Sequence, residues 1–242
     1  MRHAQPERVF TDSGFADPGL TEMGIEQAQR VPAAIARLES GGHRIARVVS
    51  SPQRRARETA APSAVKLGLP VDIVDGLAEY DRDLPVYVPI EDARHAASRT
   101  PAATGPAGVA SDEASAADVE QAVAALYRRI KAGYLPEQVD GAAFLARVSA
   151  AIEEIVSAAG HSDTVVVFAH GGVINMMLQS ALALERPLTF PIDYCSITRI
   201  LYSRTGRRTV ATVNENGHVW DLLPRNLPTG DNHSRLTEFT AD

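Results

Sequence analysis

Cysteine is nearly absent from this 242-residue chain, with Cys195 the sole example. No disulfide can form within one copy, which points to a reducing, cytoplasmic compartment. Long apolar runs are missing as well, the longest falling well short of the roughly 20 residues a membrane-spanning helix needs. No charged region followed by an apolar run and a cleavage site opens the chain, so no signal peptide is expected. An excess of basic charge is also lacking: 24 Lys and Arg face 30 Asp and Glu, a formal charge of −6. That balance argues against nucleic-acid binding. It leaves room for an anionic substrate, because a small pocket can be locally positive on an acidic protein. His and carboxylate pairs at metal-ligand spacing are absent too, so no metal or cofactor is expected.

What is present suits a single domain of residues 1–242 with an ample core, 45% of the residues being hydrophobic and 22% charged. Thr21 to Leu38 reads as a helix: Thr21 can cap it, and Ile25, Ala28, Val31, Ile35 and Leu38 recur at helical spacing. Pro32 is expected to kink it. A short strand follows from Arg44 to Ser50. Ser51-Pro52 then looks like an N-cap with proline at the first helical position, opening a helix that carries Arg54, Arg55 and Arg57. Val71 to Val74 reads as a strand, with Glu79 in the loop after it.

Regular alternation stops over residues 81–140, which reads as a partly helical insertion or cover. Its stretch from Ala96 to Ala117 is rich in small and turn-forming residues, and helices are predicted over 117–132 and 140–159. The apolar run Thr164 to Ala169 suits a buried parallel strand. A helix over 171–184 and two strands, 196–203 and 208–214, joined at Thr205-Gly206, complete the pattern, and the polar tail after Asp221 is expected to be loosely ordered. Strands alternating with helices predict a three-layer α/β/α fold on a mostly parallel, doubly wound sheet. Ligands bind such sheets beyond the carboxyl ends of the strands, where Ser50-Ser51 and His170 both fall.

Those positions carry residues suited to phosphoryl chemistry. Arginine's planar fork binds two oxygens and keeps its charge, making Arg2 and Arg55 candidate clamps. His3 can attack phosphorus through a neutral ring nitrogen, and His170 can steady the transition-state charge. Gly171-Gly172 lets backbone approach a ligand closely. Glu79 can protonate an alkoxide leaving group. His43, His161, His218 and His233 read as surface or structural, while His95, Arg94 and Arg99 reach a substrate only if the insertion folds over the pocket. Arg54 and Arg57 read as solvated, and Cys195 as a small buried residue.

In this order the motifs resemble the histidine phosphatase superfamily, the group that includes cofactor-dependent phosphoglycerate mutases and histidine acid phosphatases. Its Arg-His-Gly signature is similar to Arg2-His3-Ala4. Leu20-Thr21-Glu22-Met23-Gly24 through Gln27-Ala28, Ser50-Ser51-Pro52 with Arg55-Ala56 and Thr59-Ala60, Leu77-Ala78-Glu79, and Ala169-His170-Gly171-Gly172 match further segments, and Asn214 to His218 resembles a C-terminal one. The resemblance implies a phosphoglycerate mutase-like fold, phosphorylation of His3, phosphate binding by Arg2, Arg55, His170 and Gly171, and an acid role for Glu79. Arg55 is preferred over its neighbours because the family's arginine directly precedes alanine.

Two departures stand out. Ala4 replaces a glycine, and only Met1 precedes Arg2 where the family has a short apolar strand, so the natural start is expected upstream. The implied activity is a metal-independent phosphatase acting on a small phosphorylated substrate. A mutase is the first alternative, disfavoured because Glu79-Tyr80-Asp81-Arg82-Asp83 replaces the mutases' Glu-Arg-x-Tyr-Gly. A non-enzymatic phospho-ligand module is the second. Oligomeric state stays open, a homodimer being one option.

Overall fold

A computed structural model describes residues 1–11, 14–89 and 116–227. Chain order gives β1 (Val9–Phe10), α1 (Glu22–Ser40), β2 (Arg44–Ser50), α2 (Arg54–Leu67), β3 (Val71–Ile73) and β4 (Val86–Tyr87). These are followed by α3 (Ala116–Lys131), α4 (Gly141–Ser157), β5 (Asp163–Phe168), α5 (Gly171–Leu182), β6 (Ile197–Tyr202) and β7 (Arg208–Glu215).

The centre is a parallel sheet in the order β3-β2-β5. Successive residues of β2 point to opposite faces, and its two valines show the result. Val48 packs with Ala28, Val31 and Ile35 of α1, whereas Val49 packs with Phe144, Val148 and Ile152 of α4. Helices therefore cover both faces, the three-layer arrangement expected from the alternating pattern. The β6–β7 hairpin is antiparallel, with Gly206 taking a left-handed φ of 80° in its turn.

Several local expectations need adjustment. Thr21 does cap α1, its Oγ1 accepting from the Gly24 amide at 2.9 Å. The helix runs through Pro32 to Ser40, two residues beyond the expected end, and Ile25 stays exposed. Gly24 has its own task, since a Cβ there would run into the Gln5 carbonyl. The helix expected to open at Ser51-Pro52 starts later: Gln53 is its N-cap and Arg54 its first residue. The side chain of Ser51 is engaged elsewhere, and the Arg54 amide donates to Asp17 rather than facing a ligand. The antiparallel pairing of β1 with β4 has no counterpart in the sequence reading. His95, Arg94, Arg99, His233 and the tail beyond residue 227 lie outside the described residues.

The first residues of the chain extend the central sheet. The Ala169 amide donates to the Met1 carbonyl at 2.8 Å and the His3 amide to the Ala169 carbonyl at 2.9 Å. On the far side, the Arg2 amide donates to the Ser196 carbonyl at 3.2 Å. Before Met1 the ladder opens into a cavity of about 540 Å³ between β5 and β6, lined by Ile35, Ile155, Val165, Ile174 and Ile197 among others. The Met1 amino group donates to the Val167 carbonyl at 2.6 Å, and burial lowers its pKa to about 5. A chain lengthened ahead of Met1 by about five apolar residues can pair with β5 and would replace this buried amine with a ladder amide. Its melting temperature is expected to rise by several degrees, about 2–4 °C for each kcal/mol gained. An unchanged Tm would show that the cavity does not accept a strand.

Candidate active site

Three chain segments meet at the carboxyl edge of the parallel sheet: Met1–His3, the turn after β2, and the turn from β5 into α5. They bring Arg2, His3, Arg55 and His170 together, and the loop after β3 adds Glu79. All five side chains are buried, Arg55 and His170 completely. The rings of His3 and His170 lie 5.1 Å apart between centroids, tilted by 56°.

The two imidazoles are held in different ways. Nδ1 of His3 lies 2.7 Å from its neighbour's carbonyl, at Ala4. A carbonyl only accepts, so Nδ1 carries the proton and Nε2 keeps its lone pair. Nε2 of His170 instead meets Ser51 Oγ at 2.7 Å, and its Nδ1 has no partner among the described residues. Burial, followed by the charges of Arg55 and Arg2, holds the pKa of His3 well below its ordinary value. The pKa of His170 is depressed by burial first and then by Arg55. Both rings are neutral at physiological pH.

The arginines are fixed from behind. Arg2 Nη1 donates to the Ile192 carbonyl at 2.7 Å, and its guanidinium stacks 3.9 Å above the Tyr194 ring. The loop bearing Ile192 and Tyr194 is pinned by Asp193, whose carboxylate accepts from Asn214, Asn216 and Arg225. Asn214, at a left-handed φ of 59°, also accepts from the Asp193 amide. That gives the Asn214-to-His218 stretch a structural task. Arg55 Nη2 donates to both Asp81 oxygens, at 2.8 and 3.0 Å. Its Nε and Nη1 are buried without a partner among the described residues. Unfilled buried donors are costly and suit an incoming anion.

Glu79 accepts from the Gly172 amide at 2.7 Å and the Tyr80 amide at 3.2 Å. Desolvation, reinforced by the negative charge of Asp81, pushes its pKa up to about 7. Gly172 makes room for this carboxyl, since a Cβ there would run into it. The close approach expected of the glycine pair toward a ligand is thus an approach toward Glu79. Gly171 lines the pocket beside Arg2. Ala4 is fully buried outside the left-handed region, its amide donating to Thr59 Oγ1 at 2.9 Å. The substitution of alanine for glycine therefore costs no strain.

Above these groups lies a cavity of about 610 Å³, with Leu84, Val86, Leu126 and Phe190 among its walls. Leu84 and Val86, and Leu126 of α3, belong to the 81–140 stretch. Arg54 is exposed and paired with Glu58, and Arg57 is exposed. His43 and His161 are exposed, His218 is half-buried, and Cys195 is fully buried. No group of three or more metal-ligating side chains occurs among the described residues. None of the described helices is long and apolar enough to cross a membrane.

Three contributors escaped the sequence reading. Ser51 holds His170 instead of capping a helix. Gln53 accepts from the Glu79 amide at 2.7 Å and donates to Asp81 at 2.9 Å. Asp81 binds Arg55. The position of Asp81, two residues past Glu79 in the same loop, was the one available signal.

Comparison with known proteins gives the family and the fold. The family model described as histidine phosphatase superfamily (branch 1) matches residues 1–139 and 107–216. The bifunctional protein Rv2228c of Mycobacterium tuberculosis is 42% identical over 83 residues, 34% of this chain and 22% of that protein. This chain thus matches under a quarter of the length of that curated relative. Among solved structures, a mycobacterial glucosyl-3-phosphoglycerate phosphatase superposes with a TM-score of 0.59 at 22% identity, covering 88% of this chain and 96% of the other. A phosphoserine phosphatase of Entamoeba histolytica, complexed with 3-phosphoglyceric acid, gives 0.58 at 19% identity, covering 90% and 96%. A putative alpha-ribazole-5'-P phosphatase of Escherichia coli gives 0.57 at 20%, covering 89% and 94%. These likenesses establish the fold, and the family match places the chain in the histidine phosphatase superfamily, branch 1.

Proposed function

We propose that the chain is a phosphatase that hydrolyses a small phosphate monoester through a phosphohistidine on His3, using protein groups alone. One observation carries this reading. The His3 proton is tied to the Ala4 carbonyl, which leaves Nε2 bare among two guanidinium groups. A neutral, oriented imidazole beside fixed cations is what attack on a phosphoryl group requires. The phosphatase names borne by structures of the same fold support the same choice.

In the first step Nε2 forms a bond to phosphorus as the ester P–O bond breaks. The leaving alkoxide takes the proton of Glu79. Water then attacks phosphorus, its proton returns to Glu79, and the P–N bond breaks to release phosphate. Arg2, the free Nε and Nη1 of Arg55, and Nδ1–H of His170 receive the phosphoryl oxygens. A carboxyl titrating at about 7 can serve as acid and then as base near neutral pH.

His3→Ala is expected to lower phosphate release from a panel of monoesters by about 10⁴-fold or more. Release that survives in this variant would exclude the phosphohistidine route. Glu79→Gln is expected to slow alkyl phosphates by about 10²-fold or more while sparing nitrophenyl phosphate, whose leaving group needs no proton. Equal losses on both would refute the acid role.

Folding stability should register the buried imidazoles. The unfolded chain protonates its histidines below about pH 6.5, whereas folded His3 stays neutral. Stability therefore falls as pH drops through that region. Glu79 works in the opposite sense, because its raised pKa lets the folded state bind a proton first. The His3 contribution is isolated by comparing wild type with His3→Gln in urea melts. Below pH 6.5 the decline should be shallower in the variant, by at most about 1.4 kcal/mol per pH unit. Parallel declines would show that folded His3 protonates freely.

A further inference from the structure

We infer that Asp81 is a positioning residue that couples the phosphoryl clamp Arg55 to the acid Glu79 through the side chain of Gln53. The inference rests on the phosphatase reading and deepens it.

The coupling is visible as a closed circuit. Asp81 accepts from Arg55 Nη2 through both oxygens, and Oδ1 also accepts from Gln53 Nε2. The other end of Gln53 accepts from the Glu79 backbone amide. Arg55 and Gln53 both come from the start of α2, while Glu79 and Asp81 share one loop. One carboxylate thus fixes the clamp to the loop that carries the acid. Binding through Nη2 leaves Nε and Nη1 of Arg55, on either side of it, without a partner among the described residues. Asp81 is therefore a partner that orients the guanidinium without consuming it.

The same carboxylate bears on the proton. The charged and titratable groups around Glu79 are Tyr80 and Asp81 of its own loop, Arg55 of α2 and Arg147 of α4, with the amide end of α5 at Gly172. The arginines and the amide favour the carboxylate form. Asp81 is the anion that opposes them, second only to desolvation in keeping the proton on Glu79. An incoming phosphoryl dianion also meets Asp81 as a like charge beside its clamp, so Asp81 weakens ground-state phosphate binding while it preserves the acid.

Two effects of opposite sign follow for Asp81→Asn, a nearly isosteric change that keeps hydrogen-bonding capacity at this position. The Glu79 carboxyl, followed by carbon-13 NMR of labelled glutamate, should titrate about one pH unit lower than in wild type. Inorganic phosphate should bind about threefold or more tightly by calorimetry. In turnover, the alkaline limb of the kcat profile should move down with the carboxyl, and Asp81→Glu should restore it in part. A merely structural Asp81 would lower stability and kcat without moving the carboxyl titration. An unchanged Glu79 midpoint, or phosphate bound no more tightly, overturns the inference. Neither measurement needs turnover, so failure of the phosphatase reading would show separately, as a wild-type protein without His3-dependent release.

Discussion

Two backbone hydrogen bonds between the first residues and Ala169 are the constraint on which the rest of the site depends. They set Met1–His3 parallel to the end of β5, in the register that pairs Arg2 with Ala169. Because side chains alternate along a strand, that register decides what faces the pocket. A slip by one residue would take both Arg2 and His3 away from their present partners at the sheet edge. Everything else in the site is placed relative to this pair. Tyr194 lies under Arg2, His170 beside His3, and Thr59 receives the Ala4 amide.

This explains why much of the site was legible. Arg-His and Ala-His-Gly-Gly each sit where a parallel strand ends, and the carboxyl edge of such a sheet gathers residues distant in sequence. Apolar runs and caps, read by period and turn chemistry, were enough to locate α1, β2, α4 and β5. The failures share a physical origin. Ser51-Pro52 has the composition of a helix start, but the Ser51 hydroxyl found a better partner in a buried imidazole from another segment. Gln53 and Asp81 became site residues through contacts between α2 and a loop over twenty positions away. The β1–β4 pairing joins segments more than seventy residues apart. No local pattern encodes such meetings; tertiary contact decides them.

The electrostatic design runs against the chain's overall character. A protein of formal charge −6 buries two guanidinium groups at one point and surrounds them with neutral imidazoles. Burying a charge is costly unless it is paired and hydrogen-bonded. Arg55 meets that requirement only in part, through Asp81 and the Tyr87 ring, and Arg2 leans on a carbonyl and an aromatic face. The remaining donor capacity of Arg55 is therefore held ready at a cost in stability. Glu79 shows the complementary compromise: it is denied water, yet supported by two amides that make its ionised form accessible.

The proposed reaction makes use of that balance. With both imidazoles neutral and Glu79 protonated, the two guanidinium groups and Asp81 leave one net positive charge, and a monoester dianion changes this to one negative. Transfer to His3 creates an imidazolium bearing the phosphoryl group, while the Glu79 proton departs with the alcohol. The net charge of the pocket is unchanged; the proton has only moved. Among side chains this deeply buried this matters, because creating net charge in a low dielectric is costly. The new positive ring charge appears against the Ala4 carbonyl, which already accepts from Nδ1. The new negative charge on Glu79 appears against the Gly172 amide at the start of α5, where the helix dipole favours it. Both charges created by the first step thus meet a dipole oriented by the fold beforehand, and the carboxylate left behind is placed to take the proton of the water that completes hydrolysis.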